Sequence, residues 1–174
     1  GEDWGTVVTN VDGLDLLPTS QVASFGAQQY NVTASLARID DGTDTTTDGC
    51  EMATNAAELA GKIAVVDRGG CAFTVKALNA QDAGAVGVLV VNNTDDGTPA
   101  PMGGTDSFVR IPAQGLSFAD GASLYAEIDA DVDVEVNMFS AYPLKDSTFD
   151  NAIIAHEFGH YMQNRLIGNA SGLT

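Results

Sequence analysis

Two continuous apolar runs, Lys62-Ile63-Ala64-Val65-Val66-Asp67 and Ala85-Val86-Gly87-Val88-Leu89-Val90-Val91, flank a stretch with helical spacing. The runs have strand length and no alternation, the mark of strands covered on both faces. Between them, residues 73–83 place Phe73, Ala77 and Ala80 on one helical face, with Gly84 as the stop. Strand, helix and strand in this order predict a right-handed crossover between parallel strands. Upstream, Thr6-Val7-Val8-Thr9 and residues 30–37 read as strands, the second alternating. Asn10-Val11-Asp12-Gly13 and Asp41-Gly42 read as turns. Asn55, with Glu58 three residues on and Gly61 as terminator, predicts a short capped helical turn.

Downstream, Ser117 and Asp120 make a capping box for a helix reaching about Ile128. Residues 131–139 alternate Val132, Val134, Val136 and Met138 with Asp133, Glu135 and Asn137, a half-buried strand. Residues 141–147, with Pro143, read as a linker between a domain at 1–140 and a segment at 148–174. Ser147 and Asp150 form another capping box, and a helix is expected over about 148–166, with Gly168 as its stop. Its apolar residues, among them Ile153, Ile154, Phe158, Tyr161, Met162 and Leu166, wrap most of the circumference, so it needs a larger body or a second copy to cover it.

Charge narrows the partners. Twenty-four acids against seven Lys and Arg give a net charge of −17. Phosphates of nucleic acid and anionic lipid would be repelled, which excludes both as partners. Asp-rich loops such as Asp40-Asp41-Gly42-Thr43-Asp44 and Asp95-Asp96-Gly97 read as solvated surface, with Ca2+ binding as the alternative. No apolar run approaches the ~20 residues needed to cross a bilayer. Cys50 and Cys71 either pair, which would place the protein outside the cytoplasm, or stay as two buried thiols. The scarce cations Arg68, Lys76 and Arg110 read as local charge balance, Arg68 and Lys76 with Asp67 or Asp82; a spot for a peptide carboxylate is the functional alternative. Trp4, Tyr30 and Phe108 read as core rather than groove, and the loop 94–106 as the better place for peptide contacts. Asn31-Val32-Thr33, Asn92-Asn93-Thr94 and Asn169-Ala170-Ser171 fit glycosylation sequons.

The chain's two histidines stand in His156-Glu157-Phe158-Gly159-His160. Four-residue spacing on a helix puts both imidazoles on one face, where they can ligate zinc while the glutamate takes a proton from zinc-bound water. This is the signature of a zinc metallopeptidase. Residues 161–174 contain no Asp, Glu, His or Cys to complete the shell, so the third ligand is expected beyond Thr174, and the chain alone is expected to hold no zinc and to be inactive.

The middle of the chain resembles a protease-associated (PA) domain. The resemblance is carried by Asp48-Gly49-Cys50, by the string from Gly61 through Asp67-Arg68-Gly69-Gly70-Cys71-Ala72-Phe73, by Lys76 to Asn93, by Ile111-Pro112-Ala113 and by Ser117 to Leu124, and it spans roughly residues 5–140. It implies an α+β fold, a swivelling β-barrel or sandwich with flanking helices, and a Cys50–Cys71 disulfide. The tail, Asp150-Asn151-Ala152-Ile153-Ile154-Ala155-His156-Glu157-Phe158-Gly159-His160 with Asn164-Arg165-Leu166, resembles the start of the zinc-binding helix of fungalysin-like metallopeptidases. That resemblance implies His156 and His160 as zinc ligands, Glu157 as general base and a glutamate ligand on a later helix. Together they lead us to expect an accessory domain of a secreted zinc endopeptidase, carried with the opening helix of its catalytic domain. Its partners would be a peptide or protein substrate and the remaining catalytic domain, with self-association through the tail helix. The alternatives are a free-standing peptide- or protein-interaction module without catalysis, and a processed piece working with a second chain that supplies the missing ligand.

Overall fold

The structure is a computed structural model and describes residues 5–12, 14, 21–43 and 45–141. The chain divides into two compact units, Gly1–Ala141 and Tyr142–Thr174; the second lies outside the described residues, and with it the expected linker from residue 142 on, the helix over 148–166 and the residues His156, Glu157 and His160.

In chain order the elements are β1 (Gly5–Thr9), β2 (Gln21–Val22), β3 (Tyr30–Arg38), α1 (Ala56–Leu59), β4 (Ile63–Asp67), α2 (Phe73–Asp82), β5 (Gly87–Val91), β6 (Ala113–Leu116), α3 (Phe118–Asp129) and β7 (Glu135–Ser140). The strands form one mixed sheet in the order β1-β7-β3-β4-β5-β6-β2. The predicted crossover is present: β4 and β5 are parallel neighbours, with Ile63 opposite Gly87 and Asp67 opposite Val91. Parallel pairing extends to β3 on one side and β6 on the other, whereas β1, β7 and β2 join antiparallel.

The two continuous apolar runs are sorted by the pleat. Ala64, Val66, Val88 and Val90 enter one cluster with Ala77 and Ala80 of α2. Ile63, Val65, Leu89 and Val91 enter another with Leu124 of α3 and with Val134, Val136 and Met138. Period-two geometry thus gives each strand two buried faces, and the two main helices cover opposite faces.

The sheet curls until its edge strands nearly meet. A Cβ on Gly5 of β1 would collide with Val22 of β2. Gln114 of β6, fully buried, crosses the interior to donate from Nε2 to Tyr30 Oη (2.6 Å) on β3 and to the Phe139 carbonyl (3.2 Å) on β7. The result is a nearly closed barrel rather than a sandwich of two sheets, which decides between the two architectures expected from the sequence. Ser117 caps α3 as predicted, its Oγ accepting from the Asp120 amide at 3.1 Å. Asn55 precedes α1 as predicted but makes no side-chain cap. Its amide instead donates to the Arg38 carbonyl (2.9 Å) and accepts from the Asp40 amide (3.0 Å), tying α1 to the end of β3.

Candidate functional site

Open αβ sheets tend to bind ligands outside the carboxyl ends of their parallel strands, and a groove among the described residues lies there. Asp67 ends β4, Val91 ends β5, and Asn92 and Asn93 follow. With Phe118, Ala122 and Tyr125 of α3 they line an open groove of about 380 Å³, with mostly apolar walls. The close seating of α3 follows from Gly121: a Cβ there would collide with Val91. Phe118 stays 42% exposed at the groove although it is a large apolar side chain.

Hydrogen bonds hold the polar floor. Tyr125 Oη donates to Asp67 Oδ1 (2.6 Å) and Thr47 Oγ1 to Asp67 Oδ2 (2.5 Å), so both carboxylate oxygens are fixed. Burial raises the Tyr125 phenol pKa above its ordinary value, and the neighbouring Asp67 charge adds to the rise. The Arg38 guanidinium lies over the Tyr125 ring, 3.7 Å from its centroid, and pairs with Asp129 at 3.5 Å. Arg68 turns to Asn92 Oδ1 (2.9 Å), while Asn92 Nδ2 donates to the Thr98 carbonyl (3.0 Å). Asn92 is 2% exposed, so the sequon that begins with it is closed to modification in the folded domain. Asn31 is exposed.

On the opposite face of the sheet the domain is cross-linked. Cys50 and Cys71 form a disulfide with Cα atoms 5.7 Å apart. Lys76, completely buried, donates from Nζ to the carbonyls of Asp48 (2.6 Å) and Gly69 (2.5 Å) and lies 3.4 Å from Cys50 Sγ. Asn79, one turn on, donates to the Gly49 carbonyl at 2.9 Å. The expected charge balance is refined: Lys76 is held by carbonyls of two loops rather than by a contacting carboxylate, Asp67 acts on it only through space, and Asp82 is not among its charge partners. Burial lowers its pKa, opposed first by Asp48 and then by Asp67, Asp41 and Glu51.

The calcium alternative meets the same cluster. Asp41, Asp48 and Glu51 gather closely enough to hold an ion. Yet Asp41 and Asp48 accept from the Cys50 amide (3.1 and 3.0 Å), and the Lys76 ammonium already supplies the counter-charge. Among the described residues there is no histidine, and both cysteines are bridged. These donors do not suit zinc.

Other expectations shift as well. The loop after β5 is less free than its composition suggests: Ala100 and Met102 are core residues, leaving 93–98 as the exposed stretch beside the groove. Tyr30 packs against the core as expected, and burial pushes its phenol up to about 12. Phe108 does not; it is 70% exposed. Trp4 lies outside the described residues. The groove's only mark in the sequence is an acid, Asp67, closing one apolar strand and two asparagines, Asn92 and Asn93, closing its neighbour.

The PA domain family model matches residues 32–124, more than half of the chain. The chain belongs to the PA domain family. It is 34% identical over 145 residues to probable leucine aminopeptidase 2 of Aspergillus fumigatus, covering 82% of this chain but 27% of that protein. It is 41% identical over 73 residues to the minor extracellular protease Vpr of Bacillus subtilis, covering 42% of this chain and 9% of that one. Among solved structures, a zinc aminopeptidase from Bacillus subtilis superposes with a TM-score of 0.57 at 26% identity, over 78% of this chain and 30% of its own. The PA domain therefore corresponds to a minor part of longer peptidases. None of its described helices is long and apolar enough to cross a membrane.

Proposed function

We propose that this PA domain is the accessory module of a secreted zinc-dependent peptidase and recruits a peptide segment of the substrate through the groove at the ends of β4 and β5. The observation that carries this is the exposed Phe118 above a fixed Asp67 carboxylate, an apolar surface and a polar anchor side by side. The peptidase names of its relatives support the context. In this reading the domain acts by binding.

For the parent enzyme we assign His156 and His160 as zinc ligands and Glu157 as general base, on their spacing and flanking sequence. The fungalysin-like resemblance of that segment favours an endopeptidase; the names of two relatives favour an aminopeptidase. Blocked and free-amino peptides separate the two, because an aminopeptidase needs the free end. Glu157→Gln in the parent enzyme is expected to lower kcat by at least about a hundredfold with zinc still bound. A variant with normal turnover overturns the assignment. Removal of the groove by Phe118→Ala is expected to raise KM for protein substrates while leaving kcat for a dipeptide-sized substrate unchanged. Unchanged KM for proteins overturns recruitment.

A further inference from the structure

The groove carries a carboxylate to which no cation of the described residues is directly paired; the Lys76 ammonium acts on it only through space. Asp67 is partly buried and both its oxygens accept hydrogen bonds, but both donors, the Tyr125 phenol and the Thr47 hydroxyl, are neutral. Among the described residues no cation forms an ion pair with it. Arg38 lies across the Tyr125 ring and pairs with Asp129, Arg68 is turned to Asn92, and the Lys76 ammonium is held by the carbonyls of Asp48 and Gly69. A carboxylate in a mostly apolar groove without a contacting ion-pair partner is costly, and a ligand cation can offset that cost. The remaining walls, Val91, Phe118 and Ala122, offer contact for an aliphatic chain, and Asn93 is an exposed amide at the edge. A lysine or arginine stem is apolar along its length and charged at its tip, which matches apolar walls with an anionic floor.

We infer that the occupant is an extended peptide segment that presents a basic side chain next to a large apolar one, the cation reaching Asp67 and the apolar group lying on Phe118. This rests on the recruitment reading above and adds to it the chemical class of the segment. The net charge of −17 would draw such segments toward the domain and repel acidic ones.

The test uses the full chain and three labelled peptides, each acetylated and amidated. One carries adjacent leucine and lysine in a glycine–serine background; the others replace the lysine by norleucine or by glutamate. Fluorescence anisotropy is expected to show the lysine peptide binding at least about tenfold tighter than the glutamate peptide, the scale of one charge-assisted contact. That preference should shrink with added salt. Asp67→Asn should abolish it, and Phe118→Ala should weaken all three peptides. Asn93→Asp, at an exposed site, should widen the preference and serves as the second variant if Asp67→Asn folds poorly. Equal affinities for the lysine and glutamate peptides, or a preference that survives Asp67→Asn and ignores Asn93→Asp, overturns the basic specificity. If binding depends on Phe118 but not on charge, recruitment stands and the specificity falls. If none of the peptides binds, both fall.

Discussion

The two faces of the central strands use the same kind of apolar side chain and end differently. Toward α2, Ala77 and Ala80 meet Ala64, Val66, Val88 and Val90, and the rim above them is locked by a disulfide, a buried lysine and Asn79. Toward α3, Leu124 meets Ile63, Val65, Leu89 and Val91, and the rim is a groove held by single hydrogen bonds with one exposed ion pair at its back. Apolar burial stabilises both faces. Both rims satisfy their polar ends with internal hydrogen bonds; what differs is charge, since the α2 rim holds a cation among carboxylates while the α3 rim leaves the Asp67 carboxylate held only by neutral donors. A recognition surface has to be on the side where something is left to satisfy.

Breaking the locked side should cost most. Lys76→Met removes the donors to two backbone carbonyls and the cation facing Asp48, Asp67, Asp41 and Glu51. Loss of one partner from a buried charged cluster costs about 4 kcal/mol, and chemical denaturation should show it. A loss below about 1 kcal/mol would mean that the disulfide alone holds this rim.

The alkaline limb of stability should separate the two regions by sign. Tyr30 has its folded pKa raised to about 12 from 10.0, so its contribution is complete below pH 10 and is lost as pH rises toward 12. A rise of that size corresponds to roughly 2 to 3 kcal/mol. Lys76 has its folded pKa lowered from 10.5, so its contribution is gained as pH rises to that value and is lost as pH falls through the lowered one. Spectrophotometric titration should find Tyr30 and Tyr125 ionising later than ordinary phenols. If all tyrosines titrate together near 10, the burial of both rings is refuted.

The smallest effect belongs to the groove. Tyr125→Phe removes one hydrogen bond to Asp67 and is expected to cost about 1 kcal/mol, read from the same denaturation curves. A loss comparable to that of Lys76→Met would make the groove a structural keystone and erase the contrast between the faces.

Periodicity and local chemistry, read from the chain alone, located β1, β3, α1, β4, α2, β5, α3 and β7, the β4–α2–β5 crossover and the Ser117 cap, because backbone geometry imposes those patterns within a few residues. β2 escaped it, since two residues cannot show a period. Tertiary structure alone decided the rest. Whether Gly5 meets Val22, whether Gln114 reaches Tyr30, and whether Tyr125 finds Asp67 fifty-eight positions away depend on how far the sheet curls and which edges approach. The burial of Lys76 was hidden for the same reason: a lysine on a helix reads as solvated until a loop folds over it, and that loop, bridged through Cys50 and Cys71, is brought there by long-range closure rather than by any neighbour in sequence.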